Sequence, residues 1–217
     1  MTKKVFSYNE DIAKCAFMNW RVNNHEPIQN MNVLAEGYFE SALLLAKSCL
    51  EDNRDKRADT IVFPMLFAVN HGIELYVKSI CWSMNILLGY KGSYTENHDI
   101  RGIWYTAKQK IREFGFGYGR EETEFNSMII NLEKYLDELS NTIRMDANIN
   151  DAYHNIDFSR YPINNRKDYH FYLNRYDNVV IDLENFVILF EDIYECLHRL
   201  SGYYYDMVVD SWQTEDL

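Results

Sequence analysis

Proline is almost missing from this chain, with three residues in 217, and glycine is held to nine. So little turn material excludes folds made of many short strands joined by tight turns, and it leaves long helices as the default. Cysteine is equally sparse. Cys15, Cys49, Cys81 and Cys196 lie far apart in apolar helical patterns, with no CxxC pair among them. That spacing excludes a disulfide framework, and the four read as reduced core thiols of a cytosolic protein. Positive charge is scarce as well: 22 Lys and Arg against 33 Asp and Glu leave a formal charge of −11. A chain this acidic repels the phosphate backbone, so any contact with nucleic acid requires a local basic patch. The opening MTKKVFSYNEDI has lysines but no apolar run behind them, and no signal peptide is expected.

What the chain has in excess is aromatic surface. Phe, Trp and Tyr make up 15% of the residues, and 17 are tyrosines, which bury a ring while keeping the hydroxyl wet. Hydrophobic residues at 47% and charged residues at 25% are ordinary for a globular protein and exclude disorder. The length suits a single domain over 1–217, with residues 1–30 as an N-terminal appendage.

One stretch is long and greasy. Thr60 to Leu88 reads as a buried helix, yet His71, Glu74 and Lys78 sit at its centre at i, i+3 and i+7, on one helical face. Unpaired burial of such groups costs about 1–3 kcal/mol or more each, so the helix either lines a cleft or anchors a buried polar network. The same residues make a membrane span expensive, and none is expected.

Around this helix the pattern predicts an all-α fold: an up-down bundle of four main helices plus one or two extra, with an irregular insertion near 146–175. Ser7–Arg21 is a short amphipathic segment, with Ile12, Cys15, Ala16 and Trp20 on its apolar side, and Asn23–Asn30 is a polar break. Met31–Glu51 is helical. Asp59 or Thr60 caps the central helix, with Pro64 in its first turns. Asp99 caps a helix over Ile100–Phe114, Glu121–Arg144 forms another, and Asn178 to about Tyr203 forms the last, which continues or breaks at Gly202. Within the insertion, DFSRYPI and KDYHFYL flank a turn-like NNR, as in a short hairpin.

Three groups of residues carry candidate chemistry. The central-helix trio has a downstream partner in NHDIR, which brings His98 and Arg101 to the start of the next helix. Its plain reading is structural, with Glu74 paired to Lys78 and the NHD segment capping a helix. The insertion is the second group: between Phe158 and Tyr176, Arg160, Arg166, Lys167 and Arg175 stand against Asp168 alone, interleaved with Tyr161, Tyr169, Phe171 and Tyr172. Cations beside rings suit phosphates and unpaired bases, and His170 lies among them; the structural reading pairs these arginines with the protein's own acidic faces. The third group is Glu195-x-x-His198, one of the two Glu-x-x-His pairs a di-metal bundle needs, with His71 and Glu74 in reverse order and Glu36 and Glu40 as further carboxylates.

LFAVNHGIELYVKSI (Leu66–Ile80), followed by NHDIRGIW (Asn97–Trp104) and later by DFSRYP (Asp157–Pro162), resembles the HEPN superfamily. The resemblance implies an up-down helical bundle, a homodimer, and an RNA-binding or metal-independent RNA-cleaving role in prokaryotic toxin–antitoxin or phage-defence systems, with RNA and a cognate antitoxin or defence protein as partners and no cofactor. Its arginine maps to Arg160, and the histidines available to act with it are His71 and His98, with His154 and His170 farther along the chain; Glu74, Lys78, Arg101, Tyr161, Arg166, Lys167 and His170 would then bind substrate. The family's Arg-x4–6-His signature is not met, because Asn165 stands at the fitting distance from Arg160, with Asn164 one residue short of it. Histidine can exchange a proton near neutral pH and asparagine cannot, so the same surface would serve equally as a non-catalytic module for a protein or nucleotide partner.

Overall fold

The computed structural model describes residues 4–23, 25–94, 97–115, 119–144, 156–164, 166–173 and 177–215. Among them are six α-helices, α1 (Pro27–Glu51), α2 (Ala58–Leu87), α3 (Ile100–Phe114), α4 (Gly119–Met128), α5 (Ile130–Arg144) and α6 (Leu183–Glu215), and no named strand, so the protein is an all-α helical bundle. The central element is α2, which packs against α1, α3 and α6. It is long and apolar enough to cross a bilayer by length and composition, but here Val69, Ile73, Tyr76, Val77, Ile80 and Met84 are buried within the bundle.

The start of α2 is not where the acidic residues suggested. Asn53 supplies the cap, its Oδ1 accepting from the Ala58 N–H at 3.0 Å. Asp59 and Thr60 are already helical, and Pro64 therefore lies inside the helix rather than in its first turn. Proline there deprives the Thr60 carbonyl of its usual partner. Both residues are exposed, so water can take that bond. Against α1 the approach is close: a Cβ at Gly72 would stand 2.7 Å from the Phe39 ring, so only glycine fits without a shift.

Other boundaries also moved. Pro27, placed in a break, instead opens α1 as its first residue, where its missing N–H is harmless. Asp99 caps α3 as expected, accepting from Gly102 N–H at 3.1 Å. The single helix over Glu121–Arg144 is divided at Ile129 into α4 and α5, with hydrogen bonds from Ile129 to Phe125 and from Glu133 to Ile129 bridging the step. The last helix begins at Leu183, after Asp182 accepts from the Glu184 and Asn185 amides, and it runs straight through Gly202. Burial of Leu200, Tyr204 and Val208 on either side outweighs the roughly 1 kcal/mol that glycine costs inside a helix.

The N-terminal appendage is not an amphipathic helix. It holds one 3-10 turn, Ile12–Lys14, and Ile12 and Trp20, expected on an apolar side, are exposed. Among its described residues the insertion has a 3-10 turn over Ile156–Ser159 and an antiparallel bridge between Ile163 and Tyr169, in the place where a short hairpin was expected. Asn164 closes that turn through its Oδ1, which accepts from the Arg166 and Asp168 amides. Ile156, Phe158 and Phe171 are buried, and Tyr172 packs on Phe63, which fastens the insertion to the N-terminal half of α2.

Candidate functional site

Phe67, His71, Glu74 and Lys78 recur at helical spacing and share one face of α2. Glu74 is the hub of that face. Its carboxylate is 3% exposed, and Oε1 accepts from Lys78 Nζ at 2.7 Å and from His98 Nδ1 at 2.8 Å, while Oε2 lies 3.5 Å from His71 Nδ1. Burial alone would raise its pKa. The hydrogen bonds from His71, Lys78 and His98 and the charge of Lys78 outweigh burial and hold it at about 2. Glu74 is therefore ionised across the physiological range.

That charge fixes the imidazoles. An ionised carboxylate only accepts, so the Nδ1 of His71 and of His98 carries the hydrogen that faces it, which leaves each Nε2 as the nitrogen that gains or loses a proton. The two rings differ in access, His98 being 68% exposed and His71 29%. Lys78 is nearly as deep as Glu74, with its ammonium 5.2 Å from the centre of the Tyr94 ring, and Tyr94 in turn lies against Trp82. Glu74 thus holds both histidines, and Lys78 in turn holds Glu74.

Among the described residues, the insertion reaches this face at Phe67, one turn along from the Phe63–Tyr172 contact. His71 stacks on Phe67 at 5.5 Å with planes 10° apart, and Tyr38 of α1 stands edge-on to His71 at 4.6 Å. The Arg160 guanidinium lies 5.5 Å from the centre of Phe67 and 5.2 Å from that of Tyr161. Arg160 is also 3.6 Å from Asp157, so its charge is partly answered at home. Arg160, His71 and His98 are strung out along α2, with Phe67 between the arginine and the first histidine.

The remaining candidates are not all drawn in. Arg101 turns to α5, donating to Asp137 from Nη2 at 2.6 Å and from Nε at 3.0 Å, with Tyr105 beneath it. Arg166 and Lys167 are exposed on the Asn164 turn, where Lys167 takes φ +68°, and Tyr161 is half exposed. His170 is half-buried, with its ring stacked against Tyr172. His154, Asn165, Arg175 and Tyr176 lie outside the described residues. The net positive charge of the insertion shrinks once Asp157, the neighbour of Arg160, is counted with it.

The di-metal arrangement is not formed. Glu195 is 4.0 Å from Arg199, His198 Nδ1 meets the Tyr76 hydroxyl at 3.1 Å, and among the described residues no three His, Cys, Asp or Glu side chains gather as a ligand set.

Phe67, Tyr38 and Tyr94 were missed by sequence reasoning. The first two sit in apolar runs that read as core, and Tyr94 sits in a turn. The one available signal was the four-residue interval from Phe67 to His71, which stacks two rings on one helix face. Comparison with known proteins finds no matching family model, no matching curated protein and no matching solved structure.

Proposed function

We propose that this protein is a HEPN-like, metal-independent RNA-binding and RNA-cleaving protein of a prokaryotic toxin–antitoxin or phage-defence system, cytoplasmic and acting as a homodimer. The observation that supports it most is the attachment of two imidazoles to one buried carboxylate, with a guanidinium one ring away. Two histidines whose Nδ1 atoms face the same anion can divide the labour of phosphodiester transfer. His71 Nε2 takes the proton of a 2′-hydroxyl, whose oxygen attacks the adjacent phosphorus. The P–O5′ bond breaks, and protonated His98 gives its Nε2 proton to the departing 5′-oxygen. The products are a 2′,3′-cyclic phosphate and a 5′-hydroxyl, and Glu74 stabilises whichever imidazolium is present. Arg160 supplies positive charge to the phosphates of the bound strand.

The test is incubation of the full chain with end-labelled single-stranded RNA in the presence of a chelator. Cleavage leaving cyclic phosphate is expected, with loss in Arg160→Ala and His71→Ala at unchanged helical content. A second reading, a non-catalytic module for a protein or nucleotide partner, is favoured by the Arg160–Asp157 contact and by Asn165 where the family places its histidine. RNA retained but uncut would select that reading. Cleavage undiminished in Arg160→Ala would remove Arg160 from the mechanism.

A further inference from the structure

The polar face of α2 is a row and not a pocket. Its groups follow one another along the helix axis: Arg160 over Phe67, then His71, then Glu74 with His98, then Lys78 beneath Tyr94. A rise of about 1.5 Å per residue sets Phe67 and Glu74 about 10 Å apart along the axis, and Phe67 and Lys78 about 16 Å apart. One phosphate group is far shorter than either span. A mononucleotide cannot reach from one end of the row to the other.

Each end of the row carries an accessible ring already associated with a cation. Tyr161 is 53% exposed beside the Arg160 guanidinium, and Tyr94 is 37% exposed over the Lys78 ammonium. Rings that hold a cation and stay partly open to water are suited to stack a base, and they do so whatever its identity. Paired bases are unavailable for such stacking, so a duplex is excluded by chemistry as well as by shape.

Resting on the ribonuclease reading, we propose that the ligand of this face is an extended single strand of two to three nucleotides lying along α2, with an unpaired base on Tyr161 at one end and on Tyr94 at the other, the scissile phosphate beside His71 and His98, and a neighbouring phosphate on Arg160. Tyr94 and Tyr161 are specificity-determining residues: they set the minimum length and the preference for unpaired strand, and they take no part in proton transfer.

The experiment is fluorescence anisotropy of the full chain with 2′-O-methyl oligonucleotides of one to six residues, which bind but cannot be cut. Affinity is expected to climb steeply up to three nucleotides and level off beyond, and a duplex of the same sequence is expected to bind far more weakly. Tyr94→Ala and Tyr161→Ala are each expected to lose about tenfold in affinity for the trimer and little for the monomer, while Tyr94→Phe and Tyr161→Phe keep it, because stacking needs the ring and not the hydroxyl. A monomer bound as tightly as a trimer, or both alanine variants binding like the wild type, overturns the extended-strand assignment alone. Absence of binding at every length overturns the ribonuclease reading with it.

Discussion

The two faces of α2 bury polar groups in opposite ways. On one face Glu74 and Lys78 are sunk as a charged pair, with two histidines attached to the carboxylate. On the other, Tyr76, Ser79 and Ser83 are neutral: Ser79 donates to Asn32 of α1 at 2.6 Å, and the Tyr76 hydroxyl meets His198 of α6 at 3.1 Å. Neutral partners suffice to tie helices together, so the ionic face is more than bundle assembly demands. Replacing a buried ion pair by apolar residues of similar volume is often neutral or stabilising. The proposed site rests on that excess: a charged hub with part-exposed imidazoles attached to it.

Removing the hub is the hardest blow to this contrast. In Glu74→Ala the Lys78 ammonium stays buried without its anion, and a loss of about 3–5 kcal/mol in denaturant unfolding is expected. The double variant Glu74→Leu with Lys78→Met should recover most of that loss, because both desolvated charges go together. If the single variant costs no more than a surface substitution, the ionic face is not the anchor described here.

Acid acts on the same charge. The folded-state pKa of Glu74, about 2, lies below the ordinary 4.5. Its contribution is therefore fully present above pH 4.5 and is lost as pH falls toward 2, since the unfolded chain takes up the proton first. The shift corresponds to about 3 kcal/mol. Stability curves of the wild type and of Glu74→Gln should accordingly converge over that window. Parallel curves would mean that the carboxylate is not specially held.

How much of this was legible beforehand follows from the residues themselves. The i, i+3, i+7 spacing of His71, Glu74 and Lys78 put three polar groups on one face, and the NHD run after the helix put His98 within reach; both are local, and both are found. The row from Arg160 to His71 depends on Phe67, which links residues 89 positions apart, and no local pattern separates a ring that bridges from a ring that fills. Pro27 was placed in a break because proline disfavours helix interiors, but it sits at a first helical position, where that penalty is small. Gly202 left open whether the last helix continues or breaks, and the apolar stripe of α6 carries it through.

The neutral face predicts smaller effects of a different kind. Gly72→Ala forces a methyl to within 2.7 Å of the Phe39 ring, which must shift inside a packed α1–α2 interface, and about 1–3 kcal/mol is expected to be lost. A loss no greater than helix propensity would predict, or a gain, would show that Phe39 gives way freely.

Tyr76→Phe is the mildest change and the sharpest control. The ring stays, and with it the contacts to Phe39 and Tyr194; only the bond to His198 goes. Burial raises the Tyr76 pKa, with the nearby Tyr194, Glu36 and Glu40 adding to it, so the group is a neutral hydroxyl throughout the range in which Glu74 titrates. Its partner His198 is exposed and can turn to water, which leaves no orphaned buried group behind. The expected loss is therefore only about 0.5–1.5 kcal/mol, the ordinary net worth of one hydrogen bond. Unlike the Glu74 deficit, it should be the same at pH 4.5 as at pH 2. A Tyr76→Phe deficit that instead closed in acid would mean that ionisation reaches both faces of α2, and the division between a charged face built for chemistry and a neutral face built for packing would fail.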